Sequence, residues 1–328
     1  MQSTFVSYTE ASFRRGRWFR FLFRRRPIYG SVVEFAAKAD KFDSCYVTGE
    51  DIGLPLAALL KLRRWKGRMV CVVHNVTARK ARLFRLLGHK GFASFIVVSE
   101  DQRRRLIDGC HIPEAKIILV SNWVDTKFFQ PEHGAQQSAV AKVMACGSES
   151  RDYATLVRAA ANVDAEFDVY ANGFNGSEKV DSRNRPNVRV VPRVSYEALR
   201  TAYRSCDAVA VPLKAVNYAA GVSGIIEAMA CGKPVVVTRT DGIADYLPEV
   251  SPEWIVRPGD PADLGRALTD LLALSAEARA AIGRRNREWV VANCDIDQYA
   301  QTVRALLVGE HGSPSSPEAT SPSLKLSC

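Results

Sequence analysis

Short apolar runs alternate with helix-period segments along two stretches of the chain. From residue 142 onward the runs "KVMAC", "FDVYA", "VRVV", "AVAVP", "VVVT" and "WIV" are separated by "DYATLVRAAANV", "SYEALRTAYRSC" and "GVSGIIEAMAC". Strands this apolar, interleaved with helices, predict a parallel sheet covered on both faces. Residues 43–123 repeat the grammar: "DSCYV", "MVCVV", "FIVV" and "KIILV" alternate with "GLPLAALLKL", "ARKARLFRLL" and "EDQRRRLIDG". In such sheets ligands bind beyond the carboxyl ends of the strands, so the loops that follow strands are where chemistry is expected.

The turn-rich stretch "VDTKFFQPEHGAQQSAV" joins the two patterned regions. After residue 275, "SAEARAAIGRRNREWVVANC" and "DIDQYAQTVRALLVG" predict two helices, with Asp295 as the N-cap of the second. The tail "GEHGSPSSPEATSPSLKLSC" is Ser/Pro-rich, lacks a periodic apolar face and is expected to be disordered. A length of 328 residues suits two α/β domains. The expected division is a first domain over 1–130, a second over 131–293, a C-terminal helix over 294–310 and the tail over 311–328.

Charge distinguishes the two regions. Residues 1–130 hold 24 Lys+Arg against 11 Asp+Glu, a balance of +13, so the remaining 21 against 24 give −3 within the net +10. One half is therefore expected to meet something anionic: a membrane surface, a phosphate-bearing substrate or nucleic acid. The segment "FRRGRWFRFLFRRRP", residues 13–27, interleaves seven arginines with five aromatics, a chemistry suited to an anionic bilayer interface and equally to nucleic acid. Arg79, Lys80, Arg82 and Arg85 continue the basic surface. No apolar run approaches the ~20 residues of a membrane span, and the N-terminus does not read as a secretory signal; a cytoplasmic protein is expected. The eight cysteines form no CxxC pair and no zinc-spaced cluster, so they read as reduced, mostly buried thiols.

The stretch "YAAGVSGIIEAMACGKPVVVT" carries the chemistry. Small residues lead from a strand into a helix whose N-terminal N–H groups and dipole attract phosphate. Gly221 and Gly224 permit close backbone approach, and Ser223 can add a hydroxyl. Glu227, a turn into the helix, can chelate the 2′ and 3′ hydroxyls of a ribose through its two oxygens. Close packing with an ordinary first-turn acid would give the same residues.

Four segments together make the pattern specific. "GIIEAMACGKPVVVT" with "DGIADYLPE" resembles the donor-site signature of retaining glycosyltransferases of family 4; "VSEDQRRRLIDGCHIPEAKIILVSNWVDTKFFQP", "GSESRDYATLVRAA" and "CDAVAVPL" agree in order and spacing. The likeness spans roughly residues 43–309. It implies the GT-B fold, an α/β arrangement of two Rossmann-like doubly wound domains facing across a cleft. It also implies transfer of a sugar from a nucleoside diphosphate to an acceptor, lipid-linked or a cell-envelope glycan, with retention. The donor is a substrate, and neither a cofactor nor a metal is implied; "DID" at 295–297 reads as a helix cap.

Carried over residue by residue, the resemblance gives Glu227 the ribose and Gly221, Val222, Ser223 and Gly224 the diphosphate. Arg151 matches the basic residue that neutralises the departing nucleotide, and Gly147 and Ser148 lie in the loop before it. His74, at the end of an apolar strand, is expected beside the transferred sugar. Two positions depart from the family. Ala219 stands eight positions before Glu227 where a second acid is usual, and Ser148 replaces a common arginine, leaving Arg151, with Lys214 as a further candidate, to balance the diphosphate. Only 42 residues precede Asp43, so the expectation is either a shortened first lobe or a recorded start that lies inside the true gene product. With a glycosyltransferase behind it, the basic-aromatic segment is read as a contact to anionic membrane at the inner face of the cell membrane, not to nucleic acid. A catalytically inactive module that binds nucleotide sugar or anionic lipid, and a nucleotide-sugar epimerase of the same fold, are the alternatives.

Overall fold

Among the described residues every paired strand runs parallel to its neighbour, as expected of runs apolar on both faces. The architecture is taken from a computed structural model that describes residues 28–87, 89–132, 140–171 and 180–310. Residues 13–27 and the tail at 311–328, on which the membrane and disorder expectations rest, lie outside the described residues.

The first lobe begins with α1 (Ile28–Lys38) and builds a sheet from β1 (Ser44–Val47), β2 (Arg68–Val72), β3 (Ser94–Val97) and β4 (Ile117–Leu119), in that spatial order. Between the strands lie α2 (Glu50–Leu62), α3 (Ala78–Leu87) and α4 (Glu100–Arg104), the last running into a π turn at Arg105–Gly109. Ser99 caps α4 by accepting from the Gln102 amide.

The second lobe is a six-stranded sheet in the order β10-β9-β8-β5-β6-β7. Its strands are β5 (Lys142–Cys146), β6 (Glu166–Tyr170), β7 (Val188–Val190), β8 (Ala208–Val211), β9 (Val235–Thr238) and β10 (Ile255–Val256). Its helices are α5 (Tyr153–Ala159), α6 (Tyr196–Ser205), α7 (Val222–Ala230), α8 (Pro261–Ala273) and α9 (Ala276–Asn293). The order reverses direction at β5, between β8 and β6, and the carboxyl edge at such a switch point is where an open α/β sheet binds ligand.

The last helix, α10 (Ile296–Val308), returns to the first lobe. Tyr299 and Leu306 pack with Val70, Val72 and Ile96 of the first sheet, and the Tyr299 hydroxyl meets that of Tyr46 at 2.8 Å. Asp295 caps α10 by accepting from the Asp297 amide, as "DID" predicted, while its other oxygen accepts the Thr126 hydroxyl. The lobes also join through the loops after β3 and β9. The buried Tyr246 hydroxyl donates to the Val98 carbonyl at 2.6 Å and accepts from the Asn122 amide at 2.7 Å, and the Glu100 amide donates to Asp245 at 2.8 Å. The carboxyl edges of the two sheets therefore meet.

Tyr246 is 1% exposed, so its removal leaves a buried carbonyl without its donor. Tyr246→Phe is expected to cost about 1–2 kcal/mol of stability. Chemical denaturation with a single transition for both lobes is the measurement, and an unchanged midpoint would show that the bridge contributes nothing.

Candidate functional site

The loop after β5 positions the first cation. Gly147 adopts φ +104, a left-handed conformation suited to glycine, and the chain then doubles back so that Arg151 forms an isolated bridge with Leu213 beyond β8. Arg151 is 7% exposed. Its Nε donates to the Cys146 carbonyl at 2.8 Å and its Nη1 to the Glu149 carbonyl at 2.9 Å. The guanidinium lies over two glycines: a Cβ at Gly147 would sit 2.4 Å from Nη2, and one at Gly224 would sit 3.4 Å from it. Arg151 is thus held by main-chain oxygens and not by a carboxylate. Asp152, next in the chain, caps α5 by accepting from the Thr155 amide.

The loop after β8 delivers the helix end. Gly221 is the N-cap of α7 with φ +92, and no side chain caps this terminus. A Cβ at Gly221 would press within 2.9 Å of Leu213. The first-turn N–H groups and the positive end of the dipole therefore face the space beside Arg151 without a side chain covering them. Ser223 is exposed and Gly224 buried within this turn.

Glu227 follows one turn on, against the buried hydroxyl of Tyr203, which donates to its Oε2 at 3.0 Å. The same hydroxyl lies 2.7 Å from Cys146 Sγ. Burial pushes the Glu227 carboxyl up to about 7, against the opposing pull of the Tyr203 hydroxyl and the Arg151 guanidinium. Near neutral pH the site thus holds a carboxylate whose charge is only half established.

These residues share one cavity of ≈ 290 Å³, lined by Gly147, Ser148, Arg151, Ser223, Gly224 and Glu227 among others. Its remaining wall is Cys146, Tyr170 and the segment from Pro192 to Tyr196 with Leu199. Of the predicted residues, Gly221 and Val222 sit at the N-cap and first position of α7 but do not line the cavity, Val222 being buried. Lys214 is exposed beyond β8, and its side chain is not part of the cavity wall. Ala219 packs partly against the core of the second lobe, and no carboxylate other than Glu227 lines the cavity.

His74 belongs to the other lobe, just beyond β2. Its Nε2 is 2.7 Å from the Thr48 carbonyl, which can only accept, so Nε2 carries the proton and Nδ1 is the accepting atom of the neutral ring. Its backbone is fixed by Glu50, which accepts from the His74 amide at 2.9 Å, the Asn75 amide at 3.2 Å and Lys80 Nζ at 2.6 Å. Burial pushes the Glu50 carboxyl up, but the Lys80 ammonium and the His74 amide outweigh it and hold it below its ordinary value. The sequence placed Lys80 on an open basic surface; it instead neutralises Glu50 and also pairs with Asp51. Arg79, Arg82 and Arg85 are exposed on α3.

Tyr203 and Glu50 were not found by sequence reasoning. Tyr203 shares a helical face with Leu199 and reads as core, and Glu50 reads as a solvated first-turn acid although it is 2% exposed. Among the described residues no group of three or more His, Cys, Asp or Glu is arranged to hold a metal, and no helix is long and apolar enough to cross a membrane.

Comparison with known proteins places this cavity in context. Residues 143–274 match the model of Glycosyl transferases group 1, and residues 7–128 that of Glycosyltransferase Family 4. An uncharacterized glycosyltransferase of Methanocaldococcus jannaschii is 24% identical over 137 residues, covering 41% of this chain and 38% of that protein, so the match spans well under two thirds of that relative. Anabaena HepE, crystallised with UDP-glucose, superimposes with a TM-score of 0.72 at 16% identity, over 88% of this chain and 84% of that one. A UDP-forming α,α-trehalose-phosphate synthase from Burkholderia xenovorans gives a TM-score of 0.67 at 14% identity, over 91% and 81%. At these identities the likeness is one of fold.

Two outcomes are expected. Gly147→Ala strains a left-handed residue and pushes the Arg151 guanidinium, so nucleotide affinity should fall at least tenfold in calorimetry; unaltered affinity would mean the guanidinium has room to move. Glu227 has a folded pKa raised above its unfolded value, so the stability it contributes is present below pH ~4.5 and is lost as pH rises through about 7. Glu227→Gln should therefore raise the ligand-free unfolding free energy at pH 8, by at most about 3 kcal/mol in chemical denaturation, and leave it unchanged near pH 4.5.

Proposed function

Since the chain is a glycosyltransferase of the GT-B fold, its halves matched by the family 4 and group 1 models, we propose that it moves a sugar from a nucleoside diphosphate to an acceptor with retention. The acceptor is lipid-linked or a cell-envelope glycan, presented at the inner face of the membrane. One observation carries the reading: Ser223 and Gly224 of the first turn of α7, a buried guanidinium and a carboxylate line a single cavity, and the guanidinium hydrogen-bonds to carbonyls and not to that carboxylate.

An anion between the helix end and Arg151 meets N–H donors and a cation that are fixed before it arrives. With the diphosphate there, the ribose reaches Glu227, and the base extends toward Pro192–Tyr196. Departure of the sugar builds negative charge on the outer phosphate, which Arg151 and the amides of 222–224 stabilise. His74, with Nδ1 able to accept, supplies a hydrogen-bond partner for a sugar hydroxyl from the facing lobe. HepE, of the same fold, holds UDP-glucose, which supports a nucleotide sugar as donor. Ala219 removes one acid from the sugar end, so the sugar is bound by other groups than in relatives that keep it.

Thermal-shift titration with UDP, GDP, ADP and their sugars tests the donor site. One nucleotide series should raise the melting temperature in proportion to affinity and concentration, and Glu227→Ala should abolish most of that rise. Nucleotide release that depends on added lipid extract is the expected sign of transfer. Binding without release under any acceptor would favour the inactive module, and affinity unmoved by Glu227→Ala would remove the ribose assignment.

A further inference from the structure

Glu227 does not stand alone in its cavity wall, and the groups behind it form a directed chain. Cys146 ends β5, Tyr203 lies on the inner face of α6, and Glu227 lies on α7, so three elements far apart in sequence converge. Tyr203 is fully buried and edge-on to Phe129, with ring centroids 6.0 Å apart, which fixes its ring. A fixed ring fixes the hydroxyl. That hydroxyl donates to Glu227 Oε2, so the Cys146 thiol is the donor to the tyrosine oxygen. The thiol can do so because burial pushes it up to about 11, so it keeps its proton near neutral pH.

We propose that Tyr203 is a positioning residue for nucleotide recognition: with Cys146 behind it, it holds Glu227 Oε2 in one orientation and favours the carboxylate over the acid, so that both oxygens present lone pairs to a ribose diol. The proposal rests on the assignment of ribose to Glu227. An acid shows a diol one proton donor and a rotating hydroxyl; a carboxylate shows acceptors only, which suits two hydroxyls that both donate. Burial pushes the carboxyl up to about 7, and the hydrogen bond from Tyr203 to its charged form shifts the balance back toward the carboxylate. The titratable and charged groups around Glu227 are Tyr203 from α6, Cys146 and Arg151 from the end of β5 and its loop, and Cys231 one turn along α7. Arg151 favours the carboxylate as Tyr203 does, through space, since its Nε and Nη1 are directed to carbonyls. The two buried thiols carry no charge to offset them.

The sign follows. Removing the Tyr203 hydroxyl removes a bond to the charged form, so Glu227 titrates at higher pH and the preference for ribose over 2′-deoxyribose appears only at higher pH.

The test measures binding of UDP-glucose, GDP-mannose and ADP-glucose, each beside its 2′-deoxyribo counterpart, from pH 5.5 to 8.5 by calorimetry. Sugar esters are used because a free terminal phosphate titrates in this range. For the wild type, the ribo-to-deoxy affinity ratio should rise through about pH 7. In Tyr203→Phe the midpoint should move up by about one pH unit, and the ratio at pH 7 should fall several-fold. Cys146→Ala should move the midpoint the same way by less, and Cys146→Ser, which keeps a donor, should restore it. A merely structural loss would lower both affinities together and leave ratio and midpoint in place, which overturns the proposal. Should Tyr203→Phe fail to fold, an unmoved midpoint in Cys146→Ala overturns it instead. If Glu227→Gln leaves the ratio unchanged as well, or if none of the three donors binds, the failure lies with the assignment of the site itself.

Discussion

The cavity beside α7 depends on a guanidinium packed against two glycines. A cation buried to this degree is tolerated only where its hydrogen bonds are met, and Arg151 meets two of them with carbonyls of its own loop, at Cys146 and Glu149. Those bonds dictate the turn at Gly147, whose positive φ a side chain would strain, and they bring the plane of the guanidinium against Gly224 of α7. The glycines of the two loops are therefore partners: one lets the chain turn, the other lets the cation lie beside the helix end. Because the cation is satisfied by neutral oxygens, its charge is not cancelled by Glu227. The cavity keeps a positive end and a negative end, which is the polarity of a site for a ligand that is anionic at one end and a hydrogen-bond donor at the other.

Much of this was legible in the sequence, for reasons that can be traced. Apolar runs of strand length separated by helical periods gave both sheets, since a parallel sheet buried on both faces leaves no other pattern. Asp295 announced its helix because a cap is local: an acceptor side chain two residues before the amide it receives. The α7 terminus was legible for a different local reason: small residues, with glycine at 221 and 224, lead from a strand into an apolar helix. Helices α1 and α8 were not named, although Asp260 and Pro261 at the start of α8 carry the usual signs of a helix beginning. The site residues that escaped notice owe their roles to partners far away along the chain. Glu50 reads as a solvated acid until Lys80, thirty residues on, is seen against it. Tyr203 reads as core because most of it is core; only its hydroxyl works, and its partners lie on two other elements.

Glu227 shows why a recognition residue looks out of place in a buried helix. Most of α7 is apolar and buried, and a carboxylate there loses hydration that a methylene would not miss. The protein bears that penalty in the empty state, where burial raises the carboxyl; on the proposed assignment it is recovered when a diol replaces the lost water. An uncharged replacement would make a steadier helix and a worse site. Sites of this kind are expected to sit below the stability their fold could reach.

The contacts that join the two lobes also fix the backbone of His74. Tyr246, from the loop after β9, binds the Val98 carbonyl; the Val98 amide donates to Gln102 Oε1 at 2.8 Å, and Gln102 Nε2 donates to the His74 carbonyl at 2.8 Å. Glu50 holds the same residue from the other side through its amide. His74 is thus exposed but not loosely carried: its backbone is tied on one side to the hinge between lobes and on the other to a buried ion pair. Meanwhile α10, although it follows the second lobe in sequence, packs on the first sheet, so the connection between lobes is made twice, at Val124 and at Cys294, where the two crossing segments hydrogen-bond to each other. These crossings and the Tyr246 bridge together hold the two sheets in register, so the cavity beside α7 and the imidazole of His74, which come from independent sheets, keep their relative placement through contacts that belong to neither sheet alone.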